Sequence, residues 1–196
     1  MPVPVLLPQR NLKSGLIYHV INRGNGKAQV FHKPQDYDAF LDLLVAAKQR
    51  QPIKLFAFCL MPNHFHFVVE PENSLALSRF MQWLMTSHVR RYHQHYESSG
   101  HVWQGRFKSF PIQWDGHLIT VFRYVCQNPV RAALVTRSIE WPWSGIVRTD
   151  LIDSCPVEFD PLAVDSIDLT LQQLIELRCS VNGQQPFGTD DWRRTT

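Results

Sequence analysis

Several features that define common protein classes are missing from this 196-residue sequence. No run approaches the roughly 18 apolar residues that a membrane helix needs, and the proline-rich N-terminus is too short for the apolar segment of a secretory signal. The four cysteines form no C-x-x-C pair, which argues against a zinc ribbon or a thioredoxin-type site. We therefore expect a cytoplasmic protein with no membrane partner, whose cysteines are scattered small hydrophobic residues.

Acidic residues are scarce in the first three quarters of the chain. Residues 1–148 contain 17 Lys and Arg against 8 Asp and Glu, a balance of +9, whereas residues 149–196 contain 3 against 9, a balance of −6. A basic body favours a polyanionic partner such as nucleic acid, although a solvated surface explains this charge about as well. We predict one domain over residues 1–148. An acidic C-terminal extension over residues 149–196, partly helical or disordered, is hypothesised to mask part of the basic surface.

Two apolar runs, residues 54–60 and 64–69, flank the segment Met61-Pro62-Asn63. The turn residues predict a tight connection, so the two runs are expected to pair as a hairpin. A further strand is predicted over residues 16–22 because the segment is rich in β-forming residues.

The second of these runs carries two histidines. Side chains two residues apart share one face of a strand, so His64 and His66 project to one side while Phe65 and Phe67 project to the other. Two neutral imidazoles on one face can bind one divalent ion. His-x-His is also common without any metal role, so the spacing alone leaves both interpretations open.

Helical periodicity is found in four other places. Residues 34–49 carry an apolar stripe at helical spacing, and a second helix is predicted from Ser74, as N-cap, to about residue 96. A third helix is predicted from Asp115-Gly116, with its end limited by Pro129. A fourth is expected over residues 166–179, with disorder from residue 183 onward.

Basic and aromatic residues occur together in two parts of the chain, the second predicted helix and residues 101–110. The second helix shows a cationic face, and residues 101–110 alternate aromatic and basic side chains, which suits phosphate and base contacts. The aromatic residues could equally belong to the core. A glycine-containing loop over residues 23–27 could cradle a phosphate, although a plain turn fits its pattern better. The predicted DNA contacts are Arg23, Arg90, Arg91, Trp103, Arg106 and Lys108.

Tyr124 and Asn128 lie four residues apart on the third helix, so they share a face at the border of its apolar stripe. A tyrosine hydroxyl, with an unperturbed pKa near ~10, attacks a phosphodiester only when the phosphate is polarised and oriented, which a divalent metal can do. Two imidazoles and an amide oxygen would supply three ligands. Tyr92 and Tyr96 are rival nucleophiles, and Asn128 with the border position favours Tyr124.

Taken together, these segments resemble the REP-associated tyrosine transposases, an IS200-like branch of the HUH single-strand transposase superfamily. The matching segments fall in the family's order over roughly residues 15–148: residues 22–25, 60–70, 100–109, 123–132 and 141–144. The resemblance implies an α+β, ferredoxin-like fold, with helices packed on a central antiparallel sheet. It also implies that His64, His66 and Asn128 bind Mg²⁺ or Mn²⁺, and that Tyr124 is the nucleophile.

The implied reaction is cleavage and rejoining of single-stranded DNA at REP palindromes, short imperfect repeats that can fold into hairpins. It passes through a 5′-phosphotyrosine and a free 3′-OH, and the protein is expected to act as a monomer or homodimer. Two alternatives are a domesticated hairpin-binding protein without catalysis and a metal-dependent hydrolase that uses water. A covalent protein–DNA adduct would separate the first interpretation from both.

Overall fold

The structure is a computed structural model that describes residues 12–73, 75–113, 116–155 and 164–165. The predictions for Ser74, for Asp115, for a helix over residues 166–179 and for disorder from residue 183 lie outside these residues. The strands and helices run in the order β1 (Ile17–Arg23), α1 (Pro34–Arg50), β2 (Ile53–Met61), β3 (His64–Pro71), α2 (Ala76–Tyr96), β4 (Lys108–Ile112) and α3 (Gly116–Arg131). Short 3₁₀ turns lie at Asn25–Lys27, Ser138–Glu140 and Thr149–Leu151.

The four strands form one sheet in the order β2-β3-β1-β4, and every neighbouring pair is antiparallel. A β-α-β-β-α-β chain with this strand order is the ferredoxin-like arrangement, so the predicted α+β fold with a central antiparallel sheet is confirmed. The predicted hairpin is also present, since β2 pairs with β3 directly across Pro62 and Asn63.

Helices cover both faces of the sheet. On one face, the Phe40 ring of α1 lies 5.7 Å from the Phe65 ring and 6.4 Å from the Phe67 ring, and α2 packs beside α1. On the other face, the Tyr124 ring of α3 lies 5.6 Å from the His66 ring. The alternation of side chains along β3 therefore separates a phenylalanine face from a histidine face.

Side-chain oxygens set the starts of the first two helices. The Asp36 carboxylate accepts hydrogen bonds from the backbone N–H groups of His32 and Lys33 at the start of α1. Asn73 Oδ1 accepts from the N–H groups of Leu75 and Ala76, so Asn73 supplies bonds of the kind that an N-cap makes.

The third helix continues past Pro129 and ends at Arg131, so the prediction that this proline limits the helix placed its end too early. Proline removes one helical N–H donor, but the next turn is held because the Ala132 N–H donates to the Asn128 carbonyl at 3.0 Å. The break therefore falls about one turn beyond the position that the sequence indicated.

Residues beyond 148 contact the body of the domain. The Asp153 carboxylate accepts hydrogen bonds from Lys48 Nζ and from the Leu55 N–H, each at 2.7 Å. Farther along, the Val164 carbonyl accepts a hydrogen bond from Gln127 of α3 at 2.7 Å. Within the part of the chain that the structure describes, no helix is both long and apolar enough to cross a bilayer.

Candidate active site

The two histidines of β3 lie at the start of the strand, directly after the Pro62-Asn63 turn. Their ring centroids are 5.0 Å apart at an interplanar angle of 81°. His64 is half-buried, and His66 is only 5% exposed. In the pairing with β1, Arg23 lies opposite His64 and Ile21 lies opposite His66, which places the pair on a central strand of the sheet.

The proton position on His64 follows from its neighbour Asn63. Asn63 Nδ2 donates a hydrogen bond to the Lys27 carbonyl at 2.9 Å, and Asn63 Oδ1 lies 2.7 Å from His64 Nδ1. The opposite amide orientation would set two acceptor oxygens against each other. His64 Nδ1 therefore carries the proton, and the lone pair of a neutral His64 lies on Nε2.

His66 has one partnered ring nitrogen and one without a partner. Its Nδ1 lies 2.9 Å from His19 Nε2, whereas its Nε2 is buried without a hydrogen-bond partner among the described residues. An unsatisfied buried polar atom costs about 1–3 kcal/mol. A bound cation would supply the partner that His66 Nε2 lacks. The two histidines are therefore suited to binding a metal ion.

Burial keeps the histidines at this site neutral. It lowers the pKa of His64 to about 4, with the positive charge of Arg23 contributing, and lowers the pKa of His19 to about 3. The pKa of His66 is well below its ordinary value because of burial, with smaller effects of His64 and His19. Neutral imidazole is the form that binds a metal ion, so no deprotonation is needed near neutral pH.

Tyr124 is the tyrosine that the structure brings to the histidine pair. Its ring meets the His66 ring edge-on at 5.6 Å, and the His19 ring at 6.1 Å. The rivals lie in α2, on the other face of the sheet. Tyr96 donates to the Asp36 carboxylate at 2.6 Å, and burial together with this bond raises the pKa of Tyr96 to about 12. Tyr92 contacts His32 through its hydroxyl.

Asn128 lies one turn after Tyr124. Its Nδ2 donates to the Tyr124 carbonyl at 2.7 Å, so its Oδ1 is the atom that it could offer to a cation. Among the described residues, no group of three or more His, Cys, Asp and Glu could hold a metal ion. A metal bound by the His64–His66 pair would therefore take further ligands from an amide such as Asn128, from water or from substrate.

The five basic residues among the predicted DNA contacts fall into three groups. Arg23 and Lys108 are exposed and lie on the histidine face, because they pair with His64 and Ile21 respectively. Arg106 is exposed just before β4. Arg90 and Arg91 are exposed on α2, on the opposite side of the sheet, so the structure does not bring them to the histidine pair.

Trp103 lies in the core, with 4% of its surface exposed. Its indole N–H donates to His88 Nδ1 at 3.2 Å, and its ring packs against Phe65 at 5.4 Å. Of the two interpretations that the sequence left open for this residue, packing describes its position. A base could stack on Trp103 only if the surrounding segment moved.

The loop over residues 23–27 contacts the turn that precedes His64. The Gly24 N–H donates to the Asn63 carbonyl at 2.7 Å, and the Asn25 N–H donates to the Val102 carbonyl at 2.9 Å. A Cβ at Gly24 would lie 2.1 Å from the Ala28 carbonyl oxygen, so only glycine fits. These amides are used within the protein, which agrees with a plain turn and not with a phosphate cradle.

Sequence reasoning missed His19 and Asn63 as parts of this site. Asn63 was interpreted only as a turn residue, although its position directly before His64 was a usable signal. His19 carries no local signal, because its contact with His66 depends on the pairing of strands that lie 47 residues apart in the chain.

Two of three comparisons place the chain among known proteins. A family model described as "Transposase IS200 like" matches residues 12–128. A structure of a REP-associated tyrosine transposase bound to a REP hairpin is similar over 80% of this chain and 95% of that one, with 20% identity and a TM-score of 0.56. A candidate transposase from Deinococcus radiodurans R1 aligns over 63% and 97%, with 19% identity and a TM-score of 0.43. No curated protein matches the chain.

Proposed function

The chain belongs to the IS200-like transposase family, and from that premise we propose that it cleaves and rejoins single-stranded DNA at hairpin-forming, REP-type palindromes. Tyr124 is the nucleophile in this proposal. The observation that carries it is the contact between Tyr124 and His66, whose ring centroids lie 5.6 Å apart although the residues come from α3 and β3. This tyrosine contacts one histidine of a pair, and that histidine has a buried nitrogen without a hydrogen-bond partner among the described residues. Such an arrangement favours catalysis through a phosphotyrosine over a role in DNA binding alone.

His64 Nε2, His66 Nε2 and Asn128 Oδ1 are the atoms that would hold Mg²⁺ or Mn²⁺. When bound, such an ion polarises the scissile phosphate and orients the attack on it. The support is the donor chemistry: two neutral imidazoles, one with an orphaned nitrogen, and an amide whose nitrogen is already used by the Tyr124 carbonyl.

The reaction is a transesterification that conserves the number of phosphodiester bonds. The Tyr124 hydroxyl oxygen forms a bond to phosphorus while the bond from phosphorus to the 3′-oxygen breaks. The net proton transfer is from the tyrosine hydroxyl to the leaving 3′-oxygen. Rejoining runs the same steps in reverse, with a 3′-OH as the attacking group and Tyr124 as the leaving group.

Arg23 and Lys108 are proposed to bind backbone phosphates beside the cleaved bond, because both are exposed on the histidine face. Arg106 would extend this contact along the strand. Arg90 and Arg91 would contact DNA away from the site, since they lie on α2 across the sheet. That a protein of similar fold is described as bound to a REP hairpin supports the choice of a hairpin as the partner.

A denaturing gel tests this proposal. A labelled single-stranded oligonucleotide carrying a palindrome that flanks the gene is incubated with the protein and Mn²⁺ or Mg²⁺, beside Tyr124→Phe and Tyr92→Phe. We expect a label at protein size with the parent chain and with Tyr92→Phe, and none with Tyr124→Phe. Cleavage without an adduct would favour the hydrolase, and hairpin binding without cleavage would favour the domesticated binder.

A further inference from the structure

His19 is a buried imidazole in the centre of an apolar strand. It is 2% exposed and lies between Tyr18 and Val20, both in the core. In the sheet it pairs with Val68 of β3 and with Phe110 of β4. Burying a polar ring in such surroundings destabilises the fold unless the ring is hydrogen-bonded. The contacts of His19 therefore indicate its role.

The contacts of His19 are centred on the candidate active site. Its ring is nearly parallel to the His66 ring, with an interplanar angle of 16° and centroids 5.1 Å apart, and it meets the Tyr124 ring edge-on at 6.1 Å. Its Nε2 lies 2.9 Å from His66 Nδ1. One side chain thus contacts both a proposed metal ligand and the proposed nucleophile.

The hydrogen bond between the two imidazoles has two possible proton positions. If His19 donates, the proton of a neutral His66 lies on Nε2, where the described residues offer it no acceptor. If His66 donates from Nδ1, its Nε2 carries a lone pair that can bind a cation. Only the second arrangement is compatible with metal binding through Nε2.

We propose that His19 is a positioning residue that accepts the Nδ1 proton of His66 and so holds the Nε2 lone pair of His66 toward the metal. This proton position rests on the proposed function, because His66 Nε2 has no partner among the described residues in either arrangement, but it can be measured without the metal. Asn63 holds His64 in the same tautomer by an independent set of bonds. Two separate partners thus leave Nε2 of both histidines available.

The tautomer can be measured in the metal-free protein by NMR. The full chain is labelled with ¹⁵N-histidine, and two-bond ¹H–¹⁵N correlations are recorded, with the His66 signal assigned by its loss in His66→Gln. We expect a protonated Nδ1 and an unprotonated Nε2 for His66. A protonated Nε2 would overturn the inference; the tautomer is measured in the parent protein, and His66→Gln serves only for the assignment.

Metal affinity gives the second test. Free Mn²⁺ is followed by EPR as the full chain is added, without DNA, for the parent, His19→Leu and His19→Gln. Loss of a ligand's hydrogen-bond partner typically weakens metal binding roughly 10–100-fold, and we expect that loss in His19→Leu. His19→Gln keeps an acceptor oxygen and should recover most of the affinity. Parent-like affinity in a folded His19→Leu would overturn the inference.

The two proposals fail in different ways in these experiments. If His64→Ala binds Mn²⁺ as tightly as the parent, the metal assignment in the proposed function is wrong, and the NMR result still decides the proton position. If His64→Ala loses binding while His19→Leu does not, the metal site stands and the role of His19 is refuted.

Discussion

Asn63 Oδ1 lies 2.7 Å from His64 Nδ1, and the amide that makes this contact is itself held by the Lys27 carbonyl at 2.9 Å. A residue of the turn between β2 and β3 therefore orients a proposed metal ligand, and the loop after β1 orients that residue in turn. The histidine pair is thus supported by backbone that lies outside its own strand.

Replacing Asn63 should weaken metal binding without unfolding the domain. We expect Asn63→Ala to lower Mn²⁺ affinity roughly tenfold, because His64 loses the partner that fixes its ring. Asn63→Asp keeps an acceptor for His64 Nδ1 and should bind more tightly than Asn63→Ala. Calorimetric titration of Mn²⁺ measures both, and equal affinities for the parent and Asn63→Ala would contradict the role of this contact.

Arg23 should bind a DNA phosphate. We expect Arg23→Gln to weaken hairpin binding and to reduce the slope of log K against log salt by about 0.7–0.9, the change for one phosphate contact. Arg50→Gln is the matched control, since Arg50 ends α1 at the far end of the domain and lies over the Trp83 ring. An equal loss in both variants, measured by fluorescence anisotropy, would show only a general effect of charge.

The pH dependence of stability should include a contribution from His88. Burial, followed by the charge of Arg91, lowers the pKa of His88 to about 4, and its Nδ1 accepts a hydrogen bond from Trp103. Between pH 6.5 and about 4 the unfolded chain binds more protons, so the free energy of unfolding falls as the pH falls. The stabilisation is fully present above pH 6.5.

Urea unfolding near pH 7 and near pH 5 measures this effect. One histidine with this shift contributes about 2 kcal/mol to the difference. His88→Gln keeps an acceptor for Trp103 and does not titrate, so it should lose about 2 kcal/mol less than the parent between the two pH values. The same loss in both proteins would exclude His88 as a source.

Asp153 should stabilise the domain although it lies beyond residue 148. Asp153→Ala leaves the Leu55 N–H without its acceptor, and we expect a loss of about 1–3 kcal/mol in the free energy of unfolding. Asp153→Asn keeps an acceptor and loses only the ion pair with Lys48, which is partly exposed and worth about 1 kcal/mol or less. If urea unfolding gave the same free energy of unfolding for Asp153→Ala and the parent, Asp153 would not contribute to the stability of the domain.

The fold class was implied by the family resemblance, and the details of the sheet near the site followed from local sequence patterns. The alternation in residues 64–69 placed two histidines on one face of a strand, and the turn at Pro62-Asn63 predicted the hairpin. The burial of Trp103 was left open, since alternation of aromatic and basic residues does not say which side faces the core.

The supporting contacts could not be predicted, because they depend on distant parts of the chain. His19 meets His66 only through the β1–β3 pairing, and no spacing rule connects the two. The helix end was misplaced because a backbone bond from Ala132 to Asn128 continues the helix after Pro129. The roles of His64, His66, Tyr124 and Asn128 stay predictions, as does the masking role of the acidic extension.

Mapping the DNA-linked residue by mass spectrometry tests the central claim most directly. The full chain is reacted with a single-stranded palindromic oligonucleotide and Mn²⁺, digested with nuclease and trypsin, and searched for a peptide that carries a nucleotide on tyrosine. We predict a phosphotyrosyl linkage at Tyr124. Modification at Tyr92 or Tyr96 instead, or complete cleavage with no modified tyrosine, would contradict the assignment of Tyr124 as the nucleophile.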